Sequence, residues 1–183
     1  MTFTSIEQFS NFLVNHQKDF FDEMRIADYG GIDEGDGTNI IRELLESGNL
    51  KNYQMLDFES GVDLRKPIKG KKFDMGICMD LLEHTSNPFT VAKNIMNSLK
   101  PGAYLFVTVP FVWWLHGFPD DYWRFTPHGL SELFKEMETE SVFAIVDRFN
   151  PKAEISVDPD YHPIIPVTEP FSRIIGIFRK KIK

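Results

Sequence analysis

Apolar and polar positions change their spacing repeatedly along this chain, and each change marks an element. Behind Ser5-Ile6-Glu7-Gln8, a capping-box pattern, Ile6, Phe9, Phe12, Leu13 and Phe20 recur at helical spacing, which predicts an amphipathic helix within residues 1–24. Arg25 to Tyr29 reads as a short strand, followed by a glycine-dense turn from Gly30 to Gly37 and a helix from about Asn39 to Ser47 that Gly48 ends. Tyr53 to Leu56 makes a second strand running into Asp57, and Val62 to Leu64 a brief third. Phe73 to Met79 is an apolar run bounded by charge, as a buried parallel strand is, and Ala103 to Val109 is a more β-branched one. Between them Asn87 can cap a helix, Pro88 fits its first turn, and Lys100-Pro101-Gly102 stops it. Thr126-Pro127 opens a helix through about Met137, and Ser141 to Phe149 and Arg173 to Phe178 read as closing strands. Strands alternating with helices predict an α/β doubly wound sandwich.

Size and charge narrow the function. With 183 residues the chain is read as one domain, 1–183: an amino-terminal helix (1–24), a ligand-binding core (25–110), and an aromatic segment with the closing strands (111–183). A net charge of −7 argues against nucleic acid as partner, because neutralising phosphates takes a basic face. Five of the 20 Lys and Arg fall between Ser172 and Lys183, where a last strand with solvated lysines is the plain reading and weak attraction to an acidic membrane surface the alternative. No run is long enough to span a membrane, no signal-peptide pattern is read, and a single Cys78 inside an apolar strand excludes disulfides, so a cytoplasmic location is expected.

Candidate chemistry collects where strands end. Open α/β sheets bind ligands at the carboxyl edge. The turn after Tyr29 lies between a strand and a helix, where glycines let a ligand approach the backbone and a helix start offers unpaired N–H groups. Asp57, 27 positions beyond Gly30, can accept both hydroxyls of a ribose. The turn lacks the Lys-Ser or Lys-Thr pair of a phosphate loop and carries Asp33, Glu34 and Asp36, a poor surface for pyrophosphate. Three carboxylates suit a positively charged cofactor without phosphates.

From Ile26 to Met137 the chain resembles the class I S-adenosylmethionine-dependent methyltransferases. The resemblance rests on Asp28-Tyr29-Gly30-Gly31 with Gly35-Asp36-Gly37, Leu56-Asp57, Phe73-Asp74 through Asp80-Leu81-Leu82-Glu83-His84, Leu99-Lys100-Pro101-Gly102, and the strand ending Val109-Pro110-Phe111. The loop is longer than the usual D-x-G-x-G-x-G, and Ala103 replaces the second Gly after Lys-Pro. The resemblance implies a Rossmann-like, mostly parallel seven-stranded sheet with a reversed final strand. It also implies S-adenosylmethionine as cofactor: Gly30 and Gly31, continuing into Ile32 and Asp33, at its amino acid part, Asp57 with Phe58 at the ribose, Asp63 with Leu64 at the adenine, and Met79 at the methionine end. The segment from His116 to Pro127 is similar to a subgroup of small bacterial methyltransferases, some tied to glycan or small-molecule tailoring. Asp80, Glu83 and His84 resemble a cluster that holds a divalent metal in some quinone-pathway O-methyltransferases; the alternative is that Glu83 and His84 cap the helix start.

Phe111 to Phe125 packs seven aromatics and every Trp of the chain into fifteen residues, which suits either a wall over a reacting centre or a plug on the sheet edge. A hydroxyl acceptor must lose a proton, and His116 is the expected base because it follows a strand at the cofactor edge. His84, Trp114, Tyr122 and Arg124 are the expected acceptor contacts, with Arg124 either clamping an anionic group or pairing with Asp120 or Asp121. The expectation is methyl transfer to a small-molecule or glycan-type acceptor, at oxygen. The alternative is a cofactor-binding regulatory or partner-dependent domain without turnover of its own. A chain this short takes a small acceptor, or a partner subunit such as a second copy completes the site.

Overall fold

The computed structural model describes residues 24–30, 52–117, 119–145, 154–156 and 173–182. The expected amino-terminal helix, the helix at 39–47 and the loop residues Gly31, Ile32 and Asp33 lie outside them. The described strands form one sheet: β1 (Ile26–Tyr29), β2 (Tyr53–Leu56), β3 (Phe73–Met79), β4 (Leu99–Pro110), β5 (Glu138–Ile145), β6 (Glu154–Ser156) and β7 (Arg173–Arg179). Their order across the sheet is β2-β1-β3-β4-β7-β5-β6. β1 to β4 are parallel to one another, β7 pairs antiparallel with both β4 and β5, and β6 pairs antiparallel with β5. The last strand is therefore reversed, as expected, and the three-residue edge strand β6 is reversed too.

Two helices are described, α1 (Pro88–Ser98) and α2 (Pro127–Leu133). Each begins on a side-chain cap with Pro just inside it: Asn87 accepts from Thr90 N, and Thr126 from Gly129 N. α1 buries Val91, Ala92, Ile95 and Met96, a stripe at helical spacing. On that side the buried Tyr29 hydroxyl lies 2.6 Å from Ser98 Oγ. Gly76, in the middle of β3, makes room for this packing: a Cβ there would come within 2.9 Å of Leu105 and of the Tyr29 ring.

Three expectations change. Val62 to Leu64 is a turn, not a strand, because its polar groups are used locally: Val62 N donates to Asp57 O, Lys66 N to Asp63 O, and Asn94 Nδ2 reaches across to Leu64 O. β4 starts at Leu99, directly after α1, so Lys100, Pro101 and Gly102 lie within the strand, where Gly102 N donates to Lys180 O. α2 ends at Leu133 and β5 starts at Glu138, with Met137 N bonded to Phe134 O in the turn between them.

Candidate active site at the carboxyl edge of the sheet

Because β1 to β4 are parallel, Gly30, Asp57, Asp80 and Phe111 leave the sheet at the same edge. Gly30 follows β1 with φ +96, a left-handed conformation, and its N–H donates to Leu56 O at 3.0 Å. A Cβ at this position would meet Leu81 Cδ1 at 2.8 Å, so the backbone passes close to the start of the β3 loop. Asp28, two positions before it, is buried and accepts the Tyr53 hydroxyl, which ties β1 to β2.

Asp57 makes a tight turn in which Ser60 N donates to Oδ1 at 2.6 Å and Ser60 Oγ bonds the Asp57 backbone. Oδ2 is left with no hydrogen bond among the described residues. A ribose hydroxyl can donate to that oxygen without breaking the turn, so the residue fits the cofactor the sequence implies. Phe58 is exposed beside it, with the Arg65 guanidinium 5.2 Å from its ring centre. Asp63 is gripped by Arg65 at 2.9 Å and Lys66 at 3.4 Å, and the hydrogen bonds from Arg65 lower its pKa to about 2. Leu64 packs in the core, and Met79 is half-buried at the end of β3.

Asp80 carries φ +45, a left-handed backbone on a non-glycine residue, which costs free energy unless the surroundings enforce it. They do: Thr108 accepts its N–H and donates to its Oδ1 at 3.0 Å, while Arg173 Nη2 sits 2.9 Å from Oδ2. Arg173 in turn lies over the Trp113 ring. Asp80 is thus committed to an ion pair and stands apart from the histidines.

The cluster that does form joins Glu83, His84 and His116. Glu83 lies in a one-turn 3-10 helix (Leu82–His84), is fully buried, and neither carboxylate oxygen has a hydrogen-bond partner among the described residues. Loss of water and the neighbouring Asp80 push its pKa up to about 9. Its Oε1 is 3.8 Å from His84 Nε2 and 3.8 Å from His116 Nε2, and the two rings stand edge to face with centroids 4.7 Å apart. One ligand atom from each residue falls within a span of 4.8 Å, compact enough for a divalent cation. Glu83 and His84 do not cap α1; Asn87 does.

Residues 116–117 and 119–125 close around this cluster. His84 Nδ1 is 2.6 Å from Asp120 O, Tyr122 N donates to Glu83 O at 2.8 Å, and Trp123 Nε1 donates to Thr85 O. Gly117, at φ +62, lies against His84, where a Cβ would come within 2.5 Å of the ring. Arg124 pairs with Asp121 through both terminal nitrogens and also bonds Trp114 O, so of the two expected roles the structure displays the pairing. Trp114 is 78% exposed, Tyr122 50% and Trp123 40%, so these rings offer apolar surface at the rim and do not plug the edge. Asp121 and Arg173, the two side chains that complete the constellation, were legible only as a neighbour of Arg124 and as a lone cation opening an apolar strand.

Residues 31–107 match a family described as a methyltransferase domain. The chain is 32% identical over 87 residues to the ubiquinone biosynthesis O-methyltransferase of Marinobacter nauticus, covering 46% of this chain and 36% of the relative. It is 33% identical over 82 residues to the same enzyme of Nitrosospira multiformis, covering 44% and 33%. The chain thus spans about a third of the length of these curated relatives. Among solved structures, the citrinin polyketide synthase CMeT domain superposes with a TM-score of 0.59 at 16% identity, over 97% of this chain and 52% of that one. The Burkholderia thailandensis 1,6-didemethyltoxoflavin-N1-methyltransferase, with S-adenosylhomocysteine bound, gives 0.55 at 16% over 94% and 76%. The [4+2]-cyclase SpnF gives 0.56 at 15% over 97% and 81%. At these identities the superpositions establish the fold, and a cyclase among them shows that the fold alone does not assign a reaction. No helix among the described residues is long and apolar enough to cross a membrane.

Proposed function

We propose that this chain, whose residues 31–107 match a methyltransferase domain, is a class I S-adenosylmethionine-dependent methyltransferase that methylates a hydroxyl of a small-molecule or glycan-type acceptor in the cytoplasm. The observation that carries the choice of oxygen is the cluster of Glu83, His84 and His116 at the edge where Gly30 and Asp57 would hold the cofactor. When bound, S-adenosylmethionine supplies an electrophilic methyl group on a sulfonium. The chain's own part is to bind, orient and take a proton. Asp57 Oδ2 accepts a ribose hydroxyl, and the Gly30 backbone admits the amino acid end. On this reading His116 Nε2 receives the proton that an acceptor hydroxyl must lose. Trp114, Tyr122 and Trp123 lay apolar faces at the rim, where covering them with an acceptor removes water from the reacting atoms.

A second reading gives the same cluster a divalent cation. A buried carboxylate with both oxygens unpaired, facing two imidazoles, lacks either a proton or a metal, and a metal there would acidify a ligated hydroxyl directly. Titration calorimetry with S-adenosylmethionine, S-adenosylhomocysteine and NAD, followed by transfer of labelled methyl to phenolic and sugar hydroxyls with and without chelator, tests both. Binding of the first two ligands and chelator-resistant transfer are expected for the base. Transfer lost to chelator and restored by Mg or Zn selects the metal. Cofactor binding without transfer to any acceptor overturns the assignment in favour of a cofactor-binding domain without turnover.

A further inference from the structure

We propose that Asp121 is the positioning residue for His116: it holds the Nδ1 side of the ring so that Nε2 is the open nitrogen facing Glu83. The inference rests on the reading that the Glu83 cluster handles the acceptor's proton, and extends it to a residue that touches neither acceptor nor cofactor.

The argument is one of hydrogen-bond inventory. His116 Nδ1 has Trp114 O at 3.1 Å and Asp121 Oδ2 at 3.4 Å, two oxygens that only accept, so Nδ1 must carry the hydrogen and Nε2 the lone pair. Asp121 Oδ2 also accepts the backbone N–H of His116 at 2.9 Å, which fixes the ring's point of attachment as well as its orientation. The carboxylate is itself held. Arg124 Nη1 bonds Oδ1 at 2.5 Å and Nη2 bonds Oδ2 at 2.8 Å, an arrangement that leaves the Asp121 side chain 2% exposed. Hydrogen bonds from Arg124 hold its pKa well below the usual carboxylate range, so it stays an acceptor at any working pH.

The neighbouring residue does the same for the other ring. Asp120 offers its main-chain oxygen to His84 Nδ1 at 2.6 Å, leaving that ring's Nε2 directed at Glu83 as well. One dipeptide, Asp120-Asp121, thus sets the tautomer of both histidines, one through the backbone and one through a side chain. A carboxylate that orients an imidazole by its Nδ1–H serves a base and a metal ligand equally, since either needs a free Nε2.

Asp121→Asn is the discriminating substitution. Oδ2 faces both the His116 backbone N–H and Nδ1, so an amide nitrogen in its place loses the backbone bond and presents a donor to Nδ1, which favours the opposite tautomer. The test is a long-range 1H–15N correlation of the imidazoles in the full chain, with His116 identified by the signal lost in His116→Asn. Thermal unfolding checks that Asp121→Asn folds. Expected are an Nδ1–H tautomer for His116 in the unsubstituted protein, conversion towards Nε2–H in Asp121→Asn, and a fall in kcat of about 10²-fold with KM and cofactor affinity unchanged. An Nε2–H tautomer in the unsubstituted protein overturns the proposal without recourse to any variant. So does an Asp121→Asn protein whose tautomer and kcat stay the same. The tautomers are read without acceptor or cofactor, so a protein that shows them but transfers no methyl group refutes the assigned reaction and leaves the role of Asp121 standing.

Discussion

Replacing Glu83 by Gln should make the protein more stable, by an amount that grows with pH. Glu83 is fully buried with both carboxylate oxygens unpaired, and its pKa rises from an ordinary 4.5 to about 9. Below pH 4.5 the folded and unfolded chains both hold the proton, and the neutral acid and the amide are nearly equivalent. Above it the unfolded chain ionises while the native state keeps the proton, so stability falls by about 1.4 kcal/mol per pH unit until the native group itself ionises near pH 9. At pH 7.5 that amounts to a cost on the order of 4 kcal/mol, which Glu83→Gln removes. For a chain of this size it corresponds to a rise in Tm of about 10 °C. The assay is thermal unfolding of chelator-treated protein, unsubstituted and Glu83→Gln, at pH 5, 6, 7 and 8. A Tm difference that stays flat across this range, or a variant less stable at pH 8, would refute the reasoning. Such a result would mean that Glu83 is ionised and solvated, or ionised and paired, in the native state.

Two further outcomes separate the parts of the site. Asp57→Ala should weaken S-adenosylhomocysteine binding by about tenfold or more in calorimetry, the loss of a hydrogen bond to a charged acceptor, while leaving the tautomers of His84 and His116 unchanged; equal affinity would exclude Asp57 from the ribose. Gly117→Ala should cost about 1–2 kcal/mol in chemical denaturation for the left-handed backbone alone, and its Cβ must displace the His84 ring, so the His84 tautomer should change with cofactor affinity retained. An Ala variant with native stability and an unmoved His84 would show that the loop does not sit as described.

The sheet was legible because its signals are local. β1 and β3 lie inside the sheet and coincide with short, largely apolar runs that are buried almost throughout, the edge strand β2 with a run that ends on the buried Leu56, and both described helices announce themselves by a polar cap followed by Pro. Errors fell where local signals conflict with pairing. Val62 and Leu64 look like strand residues, yet Asp63 between them spends its hydrogen bonds on Arg65, and the turn from Asp57 uses the Val62 N–H. Lys100-Pro101-Gly102 looks like a helix stop, yet the helix has already ended at Ser98 and these residues belong to β4, where Gly102 N donates to Lys180 O just past β7.

The site was legible in its members and not in its partnerships, for a physical reason. Asp80, Glu83 and His84 are close in sequence, and reading them as one cluster assumes that neighbours in the chain face the same way. The left-handed backbone at Asp80 breaks that assumption: its carboxylate goes to Thr108 and Arg173, 28 and 93 positions on. Glu83 and His84, on the far side of that turn, meet His116 from the segment after β4. The same sorting assigns Arg124. A guanidinium in a cofactor-edge loop could have met an anionic acceptor, but with Asp121 three residues before it and within reach of both its terminal nitrogens, the intramolecular carboxylate wins without an entropic cost of association. Among the described residues this edge leaves open apolar rings, one aspartate oxygen and two imidazole nitrogens, a set that supports the proposed uncharged hydroxyl acceptor over an anionic one.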